Sequence, residues 1–335
     1  MAKKKGKTLP TVGVVGSGSF ATAIVKMLLE NAKLVHWCVR NEFVKGALEL
    51  RGHNPNYLTA VAFDVKKLKI TTDINKLVSA CDIVVLATPS IYLADAIEKM
   101  TCDYEGKLFV SAIKGIVPKH NDVVAHYLRD VFKIGFRSQA VIAGPCHAEE
   151  VAMERLSYLT IAAAEKEHID ALRELFTSDY IKVSCSKDIL GNEYSAILKN
   201  IYAIAAGIAS GLGYGDNFNA VLVSNAIREM ELFLDAVYPE HREVNDSAYL
   251  GDLLVTAYSL FSRNRNLGNL IGKGYTVKSA VQSMSMVAEG YYATRGIYEI
   301  AYEKKLKTPI INTVFSILYE GKDAEKQFKK LTEKL

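Results

Sequence analysis

An α/β first half followed by an all-helical second half is what this sequence predicts, and three observations carry it. Near the start, Thr11-Val12-Gly13-Val14-Val15-Gly16-Ser17-Gly18-Ser19-Phe20-Ala21 runs from a short apolar strand through a glycine turn into a helix. From there, apolar strands alternate with helices up to about residue 187. From residue 188 the strand signal ends, and long stretches of helical apolar periodicity replace it.

The glycine turn has the layout of a dinucleotide-binding βαβ unit. Gly16 makes the tight turn, Gly18 has no Cβ and lets a pyrophosphate reach the backbone, and small Ala21 lets the helix pack close to the strand. The helix N-terminus adds free N–H groups and a positive dipole end. A purely structural glycine turn is the plainer reading; the strand–turn–helix context favours the nucleotide. Strands are expected at 11–15, 33–39, 69–72, 82–87, 107–112, 140–143, 159–163 and 181–185. Helices fit between most of them, for example at 20–31, 41–50, 74–80, 91–100 and 121–132. Strands this apolar, spaced by helices, make a Rossmann-like N-terminal domain with a mostly parallel sheet covered on both faces.

The all-α C-terminal domain is expected to use the stretches 191–207, 217–237, 277–302, 308–318 and 323–331. The division is then a disordered basic tail at 1–10, a dinucleotide-binding domain at 11–187 and an all-helical substrate domain at 188–335. No Pro/Gly/Ser linker marks the boundary, so the two domains are expected to dock tightly.

Composition bounds the function. At 335 residues the chain suggests two domains of roughly 150 residues each. Half of the residues are hydrophobic and 23% are charged, enough to build large cores. The net charge of +4 is small, and part of it sits in Met1-Ala2-Lys3-Lys4-Lys5-Gly6-Lys7. That segment lacks the apolar h-region of a signal peptide, and no wider basic surface supports nucleic-acid binding. Cys38, Cys81, Cys102, Cys146 and Cys185 are scattered, with no CxxC pair. They point to a reducing compartment and to no structural zinc or other metal. Apolar stretches such as 201–212 are broken by glycines and flanked by Lys199, too short for a membrane span. The expectation is a cytoplasmic protein with no membrane span.

Candidate site residues gather where strands end. The second strand ends in Val39-Arg40-Asn41. An NAD-selective site places an acid there for the ribose hydroxyls, whereas an arginine pairs with a 2′-phosphate. Arg40 therefore leans towards NADP(H). Nearby Glu42 keeps NAD(H) open, and a surface arginine capping the next helix is the plainer reading. The loops Ala87-Thr88-Pro89-Ser90 and Ser111-Ala112-Ile113-Lys114-Gly115 leave the carboxyl edge of the sheet, where ligands bind in open α/β folds. Lys114 is placed to face a substrate, unless it is an ordinary exposed loop lysine. Gly144-Pro145-Cys146-His147-Ala148-Glu149-Glu150 turns from a strand into another helix N-terminus. His147 is either a base or, more plainly, part of the turn.

In the second half, Lys199-Asn200 interrupts an apolar helix. A lysine there is costly to bury unless paired or deprotonated, and such a setting lowers its pKa towards acid–base work. A lysine snorkelling at the helix edge is the alternative. Leu250-Gly251-Asp252-Leu253-Leu254-Val255-Thr256 puts an acid in apolar company, and Lys199 is its natural partner. Ser262-Arg263-Asn264-Arg265-Asn266 is a dense donor cluster suited to a phosphate or carboxylate, or else a solvated charge run. Val287-Ala288-Glu289-Gly290-Tyr291 carries an acid on a helix near a glycine, read either as a surface glutamate or as a second cofactor contact.

These pieces together resemble the soluble, bacterial NAD(P)-dependent sn-glycerol-3-phosphate dehydrogenase family. The motifs are GSGSFATA at Gly16, KG at Lys114, GPxxAEE at Gly144, LKN at Leu198, LGDL at Leu250, SRNR at Ser262 and EGY at Glu289, in the family's order and near its spacing. The resemblance implies an active site in the cleft between the domains. Lys199 would be the catalytic proton donor and acceptor, supported by Asp252, with Lys114 and Thr256 near the substrate. Ser262, Arg263 and Asn264 would hold a glycerol phosphate, with Gly144, Cys146 and Asn200 also lining the substrate site. Gly16, Gly18, Ser19, Phe20, Arg40, Pro89, Lys114, Ala148, Arg263, Val287 and Glu289 would contact the dinucleotide. The implied reaction is reversible reduction of dihydroxyacetone phosphate to sn-glycerol 3-phosphate for phospholipid synthesis, by a homodimer.

Cys146-His147 departs from the Thr-Phe common in that family, which leaves backbone rather than side-chain contacts to the substrate at Cys146. Tyr214-Gly215-Asp216-Asn217-Phe218 also departs from the usual run of small residues. Other readings of the same pattern are a ketopantoate reductase, a 6-phosphogluconate dehydrogenase, and a non-catalytic dinucleotide sensor.

Overall fold

The computed structural model describes residues 9–335, so the basic tail expected at 1–10 lies almost wholly outside the described residues. Eight strands follow in chain order: β1 (Val12–Val15), β2 (Val35–Cys38), β3 (Leu68–Thr71), β4 (Ile83–Leu86), β5 (Leu108–Ser111), β6 (Gln139–Ala143), β7 (Ser157–Ala163) and β8 (Ile181–Ser186). The helices threaded among them are α1 (Ser19–Leu29), α2 (Glu42–Arg51), α3 (Ile74–Ala80), α4 (Leu93–Ile97), α5 (Val124–Phe132), α6 (Ala148–Ala152) and α7 (Lys166–Phe176). After β8 come only helices: α8 (Ile189–Gly211), α9 (Asp216–Val237), α10 (Asp252–Tyr258), α11 (Arg263–Gly272), α12 (Val277–Ser283), α13 (Glu289–Glu303), α14 (Pro309–Leu318) and α15 (Ala324–Thr332).

The strands form one sheet in the order β3-β2-β1-β4-β5-β6-β7-β8. Every neighbouring pair is parallel except β6–β7, which pairs Ala140 with Ala163 in antiparallel register. The order reverses beside β1, which pairs with β2 on one side and β4 on the other. That reversal opens a crevice at the carboxyl ends of the strands, the place where this architecture binds ligands. Both faces of the sheet are covered. Val12 and Val14 face a core with Ile24 and Val25 of α1, while Val15 faces another with Leu77 and Val78 of α3. Burial on both faces is why the central strands β1, β4, β5 and β6 read as near-continuous apolar runs, while edge strands β3 and β8 are more exposed and mixed in polarity.

In α8, every residue from Ile189 to Ala209 is buried. A helix this apolar all round belongs in a core rather than on a surface. The core around it takes in Ile116, Val123, Ala125, Val141 and Ala162 from the first half, so the two halves share packing instead of touching through a linker. On its far side α8 meets α11 backbone to backbone. A Cβ on Gly268 would collide with the Ile204 carbonyl, and one on Gly207 with the Arg265 carbonyl.

Two expected helices differ in extent. The stretch 277–302 is not one helix but α12 and α13, broken between residues 283 and 289. The break serves Glu289, which opens α13 rather than sitting near a helix end, and the first turn of α13 is held from outside by Asn264 Oδ1, which accepts from Gly290 N at 2.9 Å. The stretch 91–100 is a 3₁₀ turn, Ser90–Tyr92, followed by the short α4.

Candidate active site

Gly16 has φ +127°, and a Cβ there would stand 2.5 Å from the Ala87 carbonyl, so the turn needs glycine twice over. Trp37 Nε1 donates to Gly16 O at 2.6 Å and fixes the turn against β2. Asn54, fully buried, donates to Ser17 O at 3.0 Å and to Thr22 Oγ1 at 2.8 Å. Gly18 has the opposite surroundings: a Cβ there would meet nothing within 4 Å. No side chain caps the first turn of α1. An open, rigid glycine turn with an uncapped helix N-terminus fits a dinucleotide pyrophosphate. Arg40 is exposed at the end of β2. Its neighbours are otherwise engaged: Asn41 caps α2 through Val44 N, and Glu42 accepts from Thr72 Oγ1 at 2.6 Å and from Lys45.

The charged centre forms where the carboxyl edge of the sheet meets α8 and α10. Lys199, on α8, donates to Asp252 Oδ1, on α10; the two are 4% and 1% exposed. Lys114 Nζ, from the loop after β5, lies 3.3 Å from Asp252 Oδ2 and 3.4 Å from Gly144 O. It also sits 5.5 Å above the Phe20 ring. Asn200 spends its amide on Lys114 O at 2.8 Å, so it fixes the loop that carries Lys114. Thr256 turns its hydroxyl back onto Asp252 O at 2.6 Å. Two ammonium groups thus share one carboxylate in a buried setting. Burial pulls Lys199 below the ordinary lysine range; Asp252 opposes this and Lys114 adds to it. Such a lysine can give and take a proton, and its surroundings favour oxygen that is gaining negative charge.

Cys146 is buried in the core of the first half, where burial pushes its thiol up to about 12. It is a packed thiol there and not a thiolate. His147 precedes α6, and burial, with help from Lys199 and Lys114, holds its imidazole down to about 4. It is therefore neutral and a poor base. Ala148 is buried at the start of α6.

A third group of contacts ties α11 and α13 to the sheet. Arg263 Nη2 donates to Ser19 Oγ at 2.6 Å and to Glu149 Oε1 at 3.2 Å, while its buried Nε has no partner. Ser262 caps α11 by accepting from Arg265 N. Asn264 uses its oxygen on Gly290, which leaves its amide nitrogen for a ligand. Glu289 accepts from Ser90 N at 2.9 Å and from Ser90 Oγ, in the loop of Pro89. Burial pushes the Glu289 carboxyl up, against the pull of Ser90 and Arg263. Val287, half-buried, lies in the break just before α13.

The structure thus brings together Phe20, Lys114, Gly144, Lys199, Asn200, Asp252 and Thr256 as one centre, with Ser19 and Arg263 as a second cluster. Arg40 stands apart at the end of β2. Sequence reasoning did not single out Asn54 or Ser90, and it quoted Glu149 only as part of a motif. All three are ordinary polar residues whose roles come from partners far away in the chain. Among the described residues there is no cluster of three His, Cys, Asp or Glu able to hold a metal, and no helix is long and apolar enough to cross a membrane.

A glycine turn at the crevice of a parallel sheet, facing a buried lysine–aspartate pair from a helical half, defines a two-domain nicotinamide-dinucleotide oxidoreductase. Comparison with known proteins is specific within that class. The NAD-dependent glycerol-3-phosphate dehydrogenase N-terminus family matches residues 11–169, and the corresponding C-terminus family matches residues 188–329. The glycerol-3-phosphate dehydrogenase (NAD(P)+) of Chlorobium limicola is 33% identical over 318 residues, covering 94% of this chain and 95% of its own. That of Staphylococcus epidermidis is 33% identical over 333 residues, covering 96% and 98%. The crystal structure of glycerol-3-phosphate dehydrogenase from Coxiella burnetii superposes with a TM-score of 0.91 at 26% identity, covering 98% of this chain and all of its own. The chain belongs to the NAD(P)-dependent glycerol-3-phosphate dehydrogenase family.

Proposed function

We propose that this chain reduces dihydroxyacetone phosphate to sn-glycerol 3-phosphate, reversibly, with NADP(H) preferred over NAD(H). The observation that carries the reading is the buried Lys199–Asp252 pair, flanked by Lys114, at the sheet edge next to the glycine turn. When bound, the dinucleotide supplies or accepts the hydride at substrate C2. Lys199, as an ammonium, gives its proton to the C2 oxygen as negative charge develops there. Asp252 holds that ammonium in place, and Lys114 adds positive charge beside the same oxygen. Arg263, Asn264 and Ser262 hold the phosphate, and that remote binding energy orients C2. Gly144, Cys146 and Asn200 complete the wall of the substrate site through backbone and packing.

Gly16, Gly18, Ser19 and Phe20 hold the pyrophosphate side of the dinucleotide; Pro89, Ala148, Val287 and Glu289 complete its pocket. NADP(H) preference rests on exposed Arg40, with Glu42 already engaged by Thr72 and Lys45. On this reading residues 11–187 serve the dinucleotide and 188–335 the substrate. The enzyme is a cytoplasmic homodimer that supplies glycerophospholipid synthesis, and light scattering tests its size. The functional test is dihydroxyacetone-phosphate-dependent oxidation of NADPH and NADH by purified protein. Turnover supports the reading, whereas dinucleotide binding without turnover would favour a sensor.

A further inference from the structure

Arg263 is usually the kind of residue that meets a phosphate through two parallel N–H bonds, because its guanidinium matches two oxygens at once. Both such edges of a guanidinium include Nη2: one pairs it with Nε, the other with Nη1. Nη2 has two N–H groups. Here Ser19 Oγ takes one at 2.6 Å and Glu149 Oε1 takes the other at 3.2 Å. Neither edge is open while both contacts stand. The remaining part of the guanidinium is not content, since its buried Nε has no partner. Glu289, the other carboxylate that feels Arg263, is already held by Ser90 and does not compete for Nη2.

The geometry points to Glu149 as a residue that competes with the substrate's phosphate for Arg263 and so sets how tightly the site takes that phosphate. An entering dianion must displace Glu149 from Nη2 before it can bind in two-point fashion. A phosphate dianion carries enough charge to compete for the guanidinium, whereas a neutral triose makes no such demand and is not opposed by Glu149. Glu149 thereby lowers the site's affinity for a phosphate and tempers its preference for the phosphorylated ligand over the bare triose. Its placement in the first turn of α6 lets it swing without disturbing a strand, and its side chain is 23% exposed. This inference rests on the proposed role of Arg263 as the phosphate ligand.

The test compares wild type with Glu149→Gln, which keeps the shape and a weak acceptor but removes the competing charge. The KM for dihydroxyacetone phosphate is expected to fall roughly three- to fivefold, the range for a partly exposed ion pair. The KM for dihydroxyacetone is expected not to fall with it. Inorganic phosphate is expected to protect Glu149→Gln against thermal unfolding at lower concentration than it protects wild type. An unchanged or higher KM, with phosphate protection no stronger than in wild type, would show that Glu149 orients Arg263 rather than competes for it, and would overturn the inference. A wild type that does not turn over dihydroxyacetone phosphate would instead sink the functional reading. The phosphate-protection comparison still decides the role of Glu149 in that case, because it needs no turnover.

Discussion

Lys199 and Asp252, 53 positions apart in the chain, meet as a buried ion pair at the junction of α8 and α10. The pair lies in surroundings that give neither charge access to much water, so each depends on the other. Removing one partner from such a pair typically costs ~3–5 kcal/mol, because the survivor is left uncompensated. The lysine is the more informative one to remove, since the charge it would strand on Asp252 still has Lys114 beside it.

Lys199→Ala is therefore expected to fold and to bind dinucleotide near normally, while kcat falls about 10²–10⁴-fold, as when a positioned acid–base group is lost. Steady-state kinetics beside dinucleotide titration checks this. Near-normal turnover by folded protein would remove Lys199 from the chemistry.

The pH profile follows from the direction of the Lys199 shift. Reduction needs the ammonium, and burial lowers the pH at which that proton leaves. The reductive kcat/KM is expected to fall as pH rises through that lowered pKa, with the oxidative direction rising over the same range. Asp252 pulls the other way, so Asp252→Asn should move the reductive limb to still lower pH as well as slow the reaction. A limb that stays in place in Asp252→Asn would mean that another group titrates.

The ion pair was legible in the sequence for a simple reason. Lys199 and Asp252 are each lone charges among apolar residues, so each demands a partner. The central strands β1, β4, β5 and β6 were legible because burial on both faces makes them near-continuous apolar runs. The break before α13 was not, because Met284, Met286 and Val287 sustain the apolar pattern where the backbone leaves the helix. The antiparallel turn of β7 left no mark either, since a buried strand reads the same in both directions. Glu149 and Ser90 could not be assigned partners from their neighbours. One meets Arg263 across 114 positions and the other meets Glu289 across 199.

Arg40→Asp is expected to shift the ratio of kcat/KM from NADPH towards NADH. The change removes a guanidinium suited to a 2′-phosphate and places an acceptor where ribose hydroxyls would lie. Asn41 and Glu42 are already engaged, so the swap should leave the start of α2 intact. A ratio that does not move would place the 2′ position elsewhere.

Gly268→Ala tests the contact that seats α11 on α8. By helix propensity alone the change should stabilise the protein by about 1 kcal/mol. The new Cβ would run into the Ile204 carbonyl, part of a fully packed helix with no room to yield. The expected outcome is a net loss of ~1–3 kcal/mol, read from the urea midpoint. Stabilisation would mean that the two helices do not approach this closely.

Arg263→Ala separates the phosphate from the rest of the substrate. The side chain reaches from α11 to Ser19 at the start of α1, so it stands between the substrate half and the dinucleotide turn. If it holds the phosphate, its loss should hurt dihydroxyacetone phosphate far more than dihydroxyacetone. Both KM and kcat should suffer, because the phosphate contact is used to orient C2 as well as to bind. Wild type should favour the phosphorylated substrate strongly in kcat/KM, and the mutant should lose most of that preference. Dinucleotide affinity must be measured beside it, since the contact with Ser19 disappears at the same time. Equal losses on both substrates, with weaker dinucleotide binding, would assign Arg263 to the dinucleotide. The phosphate would then have to be held by other donors, Lys114 and Asn264 among them.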